Sequence, residues 1–162
     1  MKDTIEALDA FIAVSLTRNE WDEMPMLMFV TEEQCTIVVL SGLDDVPAAL
    51  PMVAEAITRG SFPVQRGNVT GVIFFCEGWK LKGEPGKQEE LRAEVEALRE
   101  MGRRYEDHPA AVESKIWTAV DAQSVIHRQF DRGSEGVEEL DSEHLSGRVI
   151  DGLKMIFEAV SA

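Results

Sequence analysis

Apolar residues recur at helical spacing at the start of the chain. Ile5, Leu8, Ile12 and Leu16 form one stripe, which Phe11 and Val14 widen, so residues 3–17 are expected to be an amphipathic helix. Asp3 followed by Glu6 has the form of a capping box, with Asp in the usual Ser/Thr place. Trp21-Asp22-Glu23-Met24-Pro25 is then extended, because Pro25 biases Met24 away from helix. Two continuous apolar runs follow, 26–31 and 35–40, joined only by Glu32-Glu33-Gln34. A connection this short allows only an antiparallel hairpin. Neither run alternates, so the hairpin is expected in the middle of a sheet, covered on both faces.

A second helix is expected after Ser41-Gly42. Asp44 or Asp45 can cap it, Pro47 suits its first turn, and Val46, Leu50, Val53 and Ile57 keep helical spacing up to Gly60. Pro51 either kinks this helix or marks its true start. Residues 69–76 read as a third, buried strand. Residues 86–103 read as a charged surface helix with a thin stripe of Leu91, Val95, Leu98 and Met101, capped by Glu84-Pro85; the span 84–107 is an insertion in the main fold.

Extended structure resumes at His108-Pro109. Val112, Ser114, Ile116, Thr118 and Val120 alternate with Glu113, Lys115 and Trp117, which predicts a strand with one wet face. Residues 121–124 turn the chain into a partner strand at 125–130. Residues 131–143 are an acidic loop, and a last helix runs from near Ser142 to about Val160 on Leu145, Val149, Leu153, Ile156 and Val160. Gly147 and Gly152 in that helix each cost about 1 kcal/mol relative to Ala, which close approach to another backbone would offset. The fold class is therefore α+β: a single domain over 1–162, in the order α-β-β-α-β-(α)-β-β-α, with one five-stranded antiparallel sheet and helices packed on it.

This order of elements, across residues 3–160, resembles the roadblock and longin-like folds and, more loosely, profilin; no sequence motif accompanies it. The resemblance implies a dimerising scaffold or regulator, by analogy of fold. Trp21-Asp22-Glu23-Met24-Pro25, Glu77-Gly78-Trp79 and the span from His108-Pro109 to Asp121 are also similar to segments of actinobacterial and phage proteins, a likeness that carries no function with it.

Charge narrows the partners. The 162 residues hold 16 basic and 30 acidic side chains, a net charge of −14. The densest basic pair, Arg103–Arg104, is surrounded by Glu100, Glu106 and Asp107, so direct binding to nucleic acid or to an anionic membrane is disfavoured. Excess acid confers solubility; it also suits a basic protein partner, or an imitation of the phosphates of DNA. No run of apolar residues approaches a membrane span. No secretory leader precedes the first amphipathic segment, and Cys35 and Cys76 both sit in apolar runs, so a cytoplasmic protein with free thiols is expected.

Candidate chemistry is sparse. His108, His127 and His144 lack a second ligand at metal-binding spacing, although His144 lies near Asp141 and Glu143. No nucleophile elbow or phosphate loop is present, and residues 131–143 do not follow the EF-hand order. No catalytic residue, metal or cofactor is assigned. Cys76 and His127 could form a thiol–imidazole pair; a packed Cys and a solvent-facing edge His are the simpler reading. Glu77 and Trp79, at the end of the third strand, can line a pocket or anchor a partner, and Trp117 on a polar face suggests an interface. These residues point first to a non-enzymatic binding or regulatory module that contacts proteins and self-associates into a homo-oligomer through a sheet edge or helix face. The alternatives are a small enzyme with a pocket at Glu77, Trp79 and His127, and a structural subunit with a large apolar interface.

Overall fold

The computed structural model describes residues 2–42, 45–81, 86–140 and 147–162, with the side chains of residues 2, 3 and 105 also outside the description. The expected capping box at Asp3, the cap at Glu84-Pro85, the helix start near Ser142 and the group Asp141, Glu143 and His144 therefore lie outside the described residues. The elements are α1 (Lys2–Arg18), β1 (Met26–Thr31), β2 (Cys35–Val39), α2 (Val46–Thr58), β3 (Val69–Leu81), α3 (Gln88–Glu100), a 3₁₀ turn (Tyr105–Asp107), β4 (Ala111–Asp121), β5 (Val125–Asp131), β6 (Glu138–Leu140) and α4 (Gly147–Ser161). The fold is α+β, with an antiparallel sheet between two helical layers.

Among the described residues the sheet has six strands, in the order β2-β1-β3-β4-β5-β6, not the expected five. The added strand comes from the segment expected to be an acidic loop. Gln129, Arg128 and His127 pair with Glu138, Glu139 and Leu140. Two contacts make an acidic strand tolerable there: Arg128 Nε lies 3.6 Å from Glu139, and Val137 packs against the core just before the strand.

The hairpin β1–β2 forms as expected, but it is not central. After β2 the chain crosses through α2 and returns as β3 on the other side of β1, so only β1 is interior. Leu27 and Phe29 face one layer, and Met28 and Val30 the other. β2 is left at the sheet edge, with Cys35, Ile37 and Val39 exposed. Its continuous apolar sequence reflects something other than two-sided burial.

On one face, α2 and α4 cover Leu27, Phe29, Val72, Phe74 and Val120. Asp45 caps α2 by accepting from the Ala48 N–H at 3.2 Å, and the helix continues through Pro51. Gly152 of α4 sits where a Cβ would come 2.6 Å from Leu50 Cβ of α2, so this glycine lets the two helices close on each other. On the opposite face, α1 lays Leu8 and Ile12 over Ile73, Phe75, Trp117 and Ala119. Gly71 gives α1 the same freedom: a Cβ there would fall 2.2 Å from Thr4 Oγ1. α3 buries no residue, and His108 Nε2 meets its Glu94 Oε2 at 2.6 Å.

Candidate functional site

β3 runs five residues past the expected end at Cys76, and this extension brings the notable segments together. Glu77 lies directly opposite Lys115, and Trp79 opposite Glu113. Residues directly opposite on antiparallel strands point to the same face, here the face of α1. Lys115 is 1% exposed. Its Nζ donates to Glu77 Oε1 at 2.8 Å, Glu23 Oε2 at 2.7 Å and the Glu20 carbonyl at 2.5 Å. Three donors meet three acceptors, so the ammonium is satisfied. Nζ also lies 4.7 Å from the centroid of the Trp21 ring, within cation–π reach. Glu77 Oε2 in turn accepts from the N–H groups of Asp22, at 2.7 Å, and Glu23, at 3.2 Å.

The loop after α1 is thus clamped onto the sheet. Asp22 holds a left-handed φ of 70°, which the two bonds to Glu77 help to maintain. Trp21 stacks on Phe130, and the Arg132 guanidinium covers it at 5.1 Å. A lysine so enclosed and so fully bonded anchors the fold and is closed to a substrate. Sequence reasoning missed Lys115, although it singled out all three segments that supply the cluster.

The other site candidates separate. Trp117 is fully buried under α1, 5.5 Å from Phe75 in ring-centroid distance, which corrects its expected place on an exposed interface. Its indole N–H has no hydrogen-bond partner among the described residues. The face expected to be wet is dry because α1 covers it. Trp79 is 41% exposed at the far end of the α1 face. His127 pairs with Thr118, on the face of α2 and α4. Glu77 and Trp79 therefore lie on one side of the sheet and His127 on the other, and the expected pocket of these three residues is not formed.

The thiol–imidazole pair is not formed either. His127 Nδ1 lies 3.0 Å from Thr118 Oγ1, and burial lowers the imidazole pKa to about 4. Cys76 lies opposite Ile116, and burial, reinforced by the Glu77 charge, raises its thiol pKa to about 11. A neutral imidazole that resists protonation and a thiol that resists ionisation make a poor base and nucleophile.

The fold leaves the edge of β2 open. The Leu40 N–H donates to the Pro25 carbonyl at 2.8 Å, and the Thr31 N–H to the Gln34 carbonyl at 2.9 Å. Even-numbered residues of this strand thus turn their backbone groups to β1, so Cys35, Ile37 and Val39 turn theirs outward. β2 carries no charge, no proline and no bulge, the usual protections of an edge. Ile37 and Val39 are 52% and 50% exposed, and Val14 of α1 beside them is 57% exposed. Between α1 and β2 runs a groove of about 330 Å³ lined by Phe11, Val14, Met26, Met28, Cys35 and Ile37, among others. Across the sheet, a cavity of about 460 Å³ borders the same strand at Thr36 and the β1–β2 turn at Glu32 and Glu33.

No protein-family model, curated protein or solved structure matches the chain. Among the described residues, no group of three or more His, Cys, Asp or Glu side chains is placed to hold a metal ion. No described helix is long and apolar enough to cross a membrane.

Proposed function

We propose that this protein is a non-enzymatic binding module that recognises other proteins by strand addition at β2. The observation that supports it is the unprotected edge itself: outward backbone groups at Cys35, Ile37 and Val39, beside exposed apolar side chains and a groove. In strand addition, backbone hydrogen bonds supply affinity and alternate side chains supply selectivity. A long apolar edge that is merely left over invites aggregation, and the net charge of −14 opposes that outcome. The expected cytoplasmic location and the roadblock- or longin-like resemblance, with its dimerising scaffold, fit this reading as analogy only.

The same edge allows two copies to pair, which gives the expected self-association a definite place. Repulsion between acidic copies keeps this pairing weak and makes it grow with salt, as screening shortens the reach of the charges. Light scattering during size exclusion tests the reading. At high micromolar concentration the mass should exceed the monomer value of 18.0 kDa, more so at high salt, and the Ile37→Pro variant should stay monomeric. Proline suits this position because the Ile37 N–H points away from β1. An oligomer indifferent to Ile37→Pro would refute self-association through β2.

A further inference from the structure

The geometry points to one kind of occupant for the β2 edge: an extended segment of a basic protein, with apolar and basic side chains in alternation, lying antiparallel to β2. This inference rests on the strand-addition reading and gives it a partner chemistry. The first support is the position of the two hollows. The apolar groove meets β2 at Cys35 and Ile37, on the α1 face, and the polar cavity meets it at Gln34 and Thr36, on the other. An added strand sends successive side chains to opposite faces. Its residues opposite Cys35, Ile37 and Val39 therefore continue the apolar strip, and those opposite Gln34 and Thr36 pass over the cavity.

Charge complementarity supplies the second support. Glu32 and Glu33 line that cavity and are exposed, and neither has an ion-pair partner among the described residues. Lys or Arg side chains of the partner would supply the missing countercharge. A second copy would not: β2 is uncharged, and its turn brings two further glutamates. Antiparallel addition is the more stable pairing per residue. It sets the partner's C-terminal end at the β1–β2 turn, so the basic residues belong at that end. The net charge of −14 adds long-range steering toward a cationic segment.

The test uses two fluorescent peptides on the full chain, one with the core Val-Thr-Val-Lys-Val-Lys and one with Val-Thr-Val-Glu-Val-Glu, followed by polarisation. The lysine peptide should bind about tenfold tighter or more, with the difference shrinking as salt screens the glutamates. Glu32→Lys with Glu33→Lys, on an exposed turn, should reverse the preference. Ile37→Pro should abolish binding of both peptides while circular dichroism and the melting temperature stay near wild type, and Ile37→Lys, as a second edge variant, should weaken the lysine peptide far more than the glutamate peptide. Equal affinity for the two peptides would overturn the charge inference and leave the edge reading standing. So would no binding of either peptide together with an oligomer that Ile37→Pro dissociates, which would make the occupant a second copy. Absence of both peptide binding and edge-dependent pairing would overturn inference and reading together.

Discussion

Lys115 Nζ lies 2.8 Å from Glu77 Oε1, directly across the seam between β3 and β4, with the two side chains 1% and 13% exposed. The pair ties three distant parts of the chain into one unit: the loop after α1, through Glu23 and the Glu20 carbonyl; the end of β3; and the middle of β4. Desolvating a lysine is costly, and its partners offset that cost only as a set. Glu77→Gln removes the carboxylate that bonds both Lys115 and the backbone at Asp22. It should destabilise the protein by about 3–5 kcal/mol in urea unfolding. Adding Lys115→Met should cost less than the sum of the single changes, with a coupling of about 1–3 kcal/mol, because the two residues act together. Additive losses would mean that the pair is not the keystone of this loop.

His127 gives the stability a recognisable pH dependence. Its folded pKa of about 4 lies below the ordinary 6.5, because burial disfavours the charged ring. Below 6.5 the unfolded chain takes up a proton that the folded chain refuses, so stability falls as pH drops through the window from 6.5 to about 4. The contribution is at most about 1.4 kcal/mol per pH unit. His127→Gln should flatten the stability curve within that window and leave its shape above pH 7 unchanged. An identical slope in the variant would show that the imidazole does not carry it.

Gly152→Ala tests the closeness of α2 and α4. Alanine favours a helix by about 1 kcal/mol in an open position. Here its Cβ would meet Leu50 Cβ at 2.6 Å, so the substitution should instead lower stability by about 1–3 kcal/mol through overpacking. Gly147→Ala, with nothing within 4 Å of the added Cβ, is the matched control and should not destabilise. A thermal melt that rose for Gly152→Ala would contradict the packing described.

These contrasts show where local pattern carries the structure and where it does not. Helical periodicity made α1, α2 and α4 legible, and the short Glu32-Glu33-Gln34 link made the β1–β2 hairpin unavoidable. Gly152 was legible in part: its close neighbour is the Leu50 side chain rather than a backbone, and Gly147, read in the same way, has nothing within 4 Å. The neighbourhood of Lys115 was not. A charged residue alternating with polar neighbours reads as solvent-facing, and only partners 38 and 92 residues away, at Glu77 and Glu23, neutralise it. Burial of Trp117 follows from the placement of α1, which no local window contains. The edge position of β2 was hidden for a related reason. Continuous apolar sequence suits a central strand, and it equally suits an edge left open for a partner. Of the candidate site, Glu77 and Trp79 were found and lie on one face; His127 belongs to the other, and the β2 edge was not singled out.

Strand addition at β2 requires that the backbone of Cys35, Ile37 and Val39 be free to pair with a partner strand. Residue-resolved amide hydrogen exchange measures this directly, in the dilute free protein and with the lysine-bearing peptide in excess. These three amides should exchange fast in the free protein while those of Thr36 and Val38, turned to β1, exchange slowly, and the peptide should slow the first set selectively. Protection of Cys35, Ile37 and Val39 in the free monomer, or no change in them when peptide is bound, would contradict it.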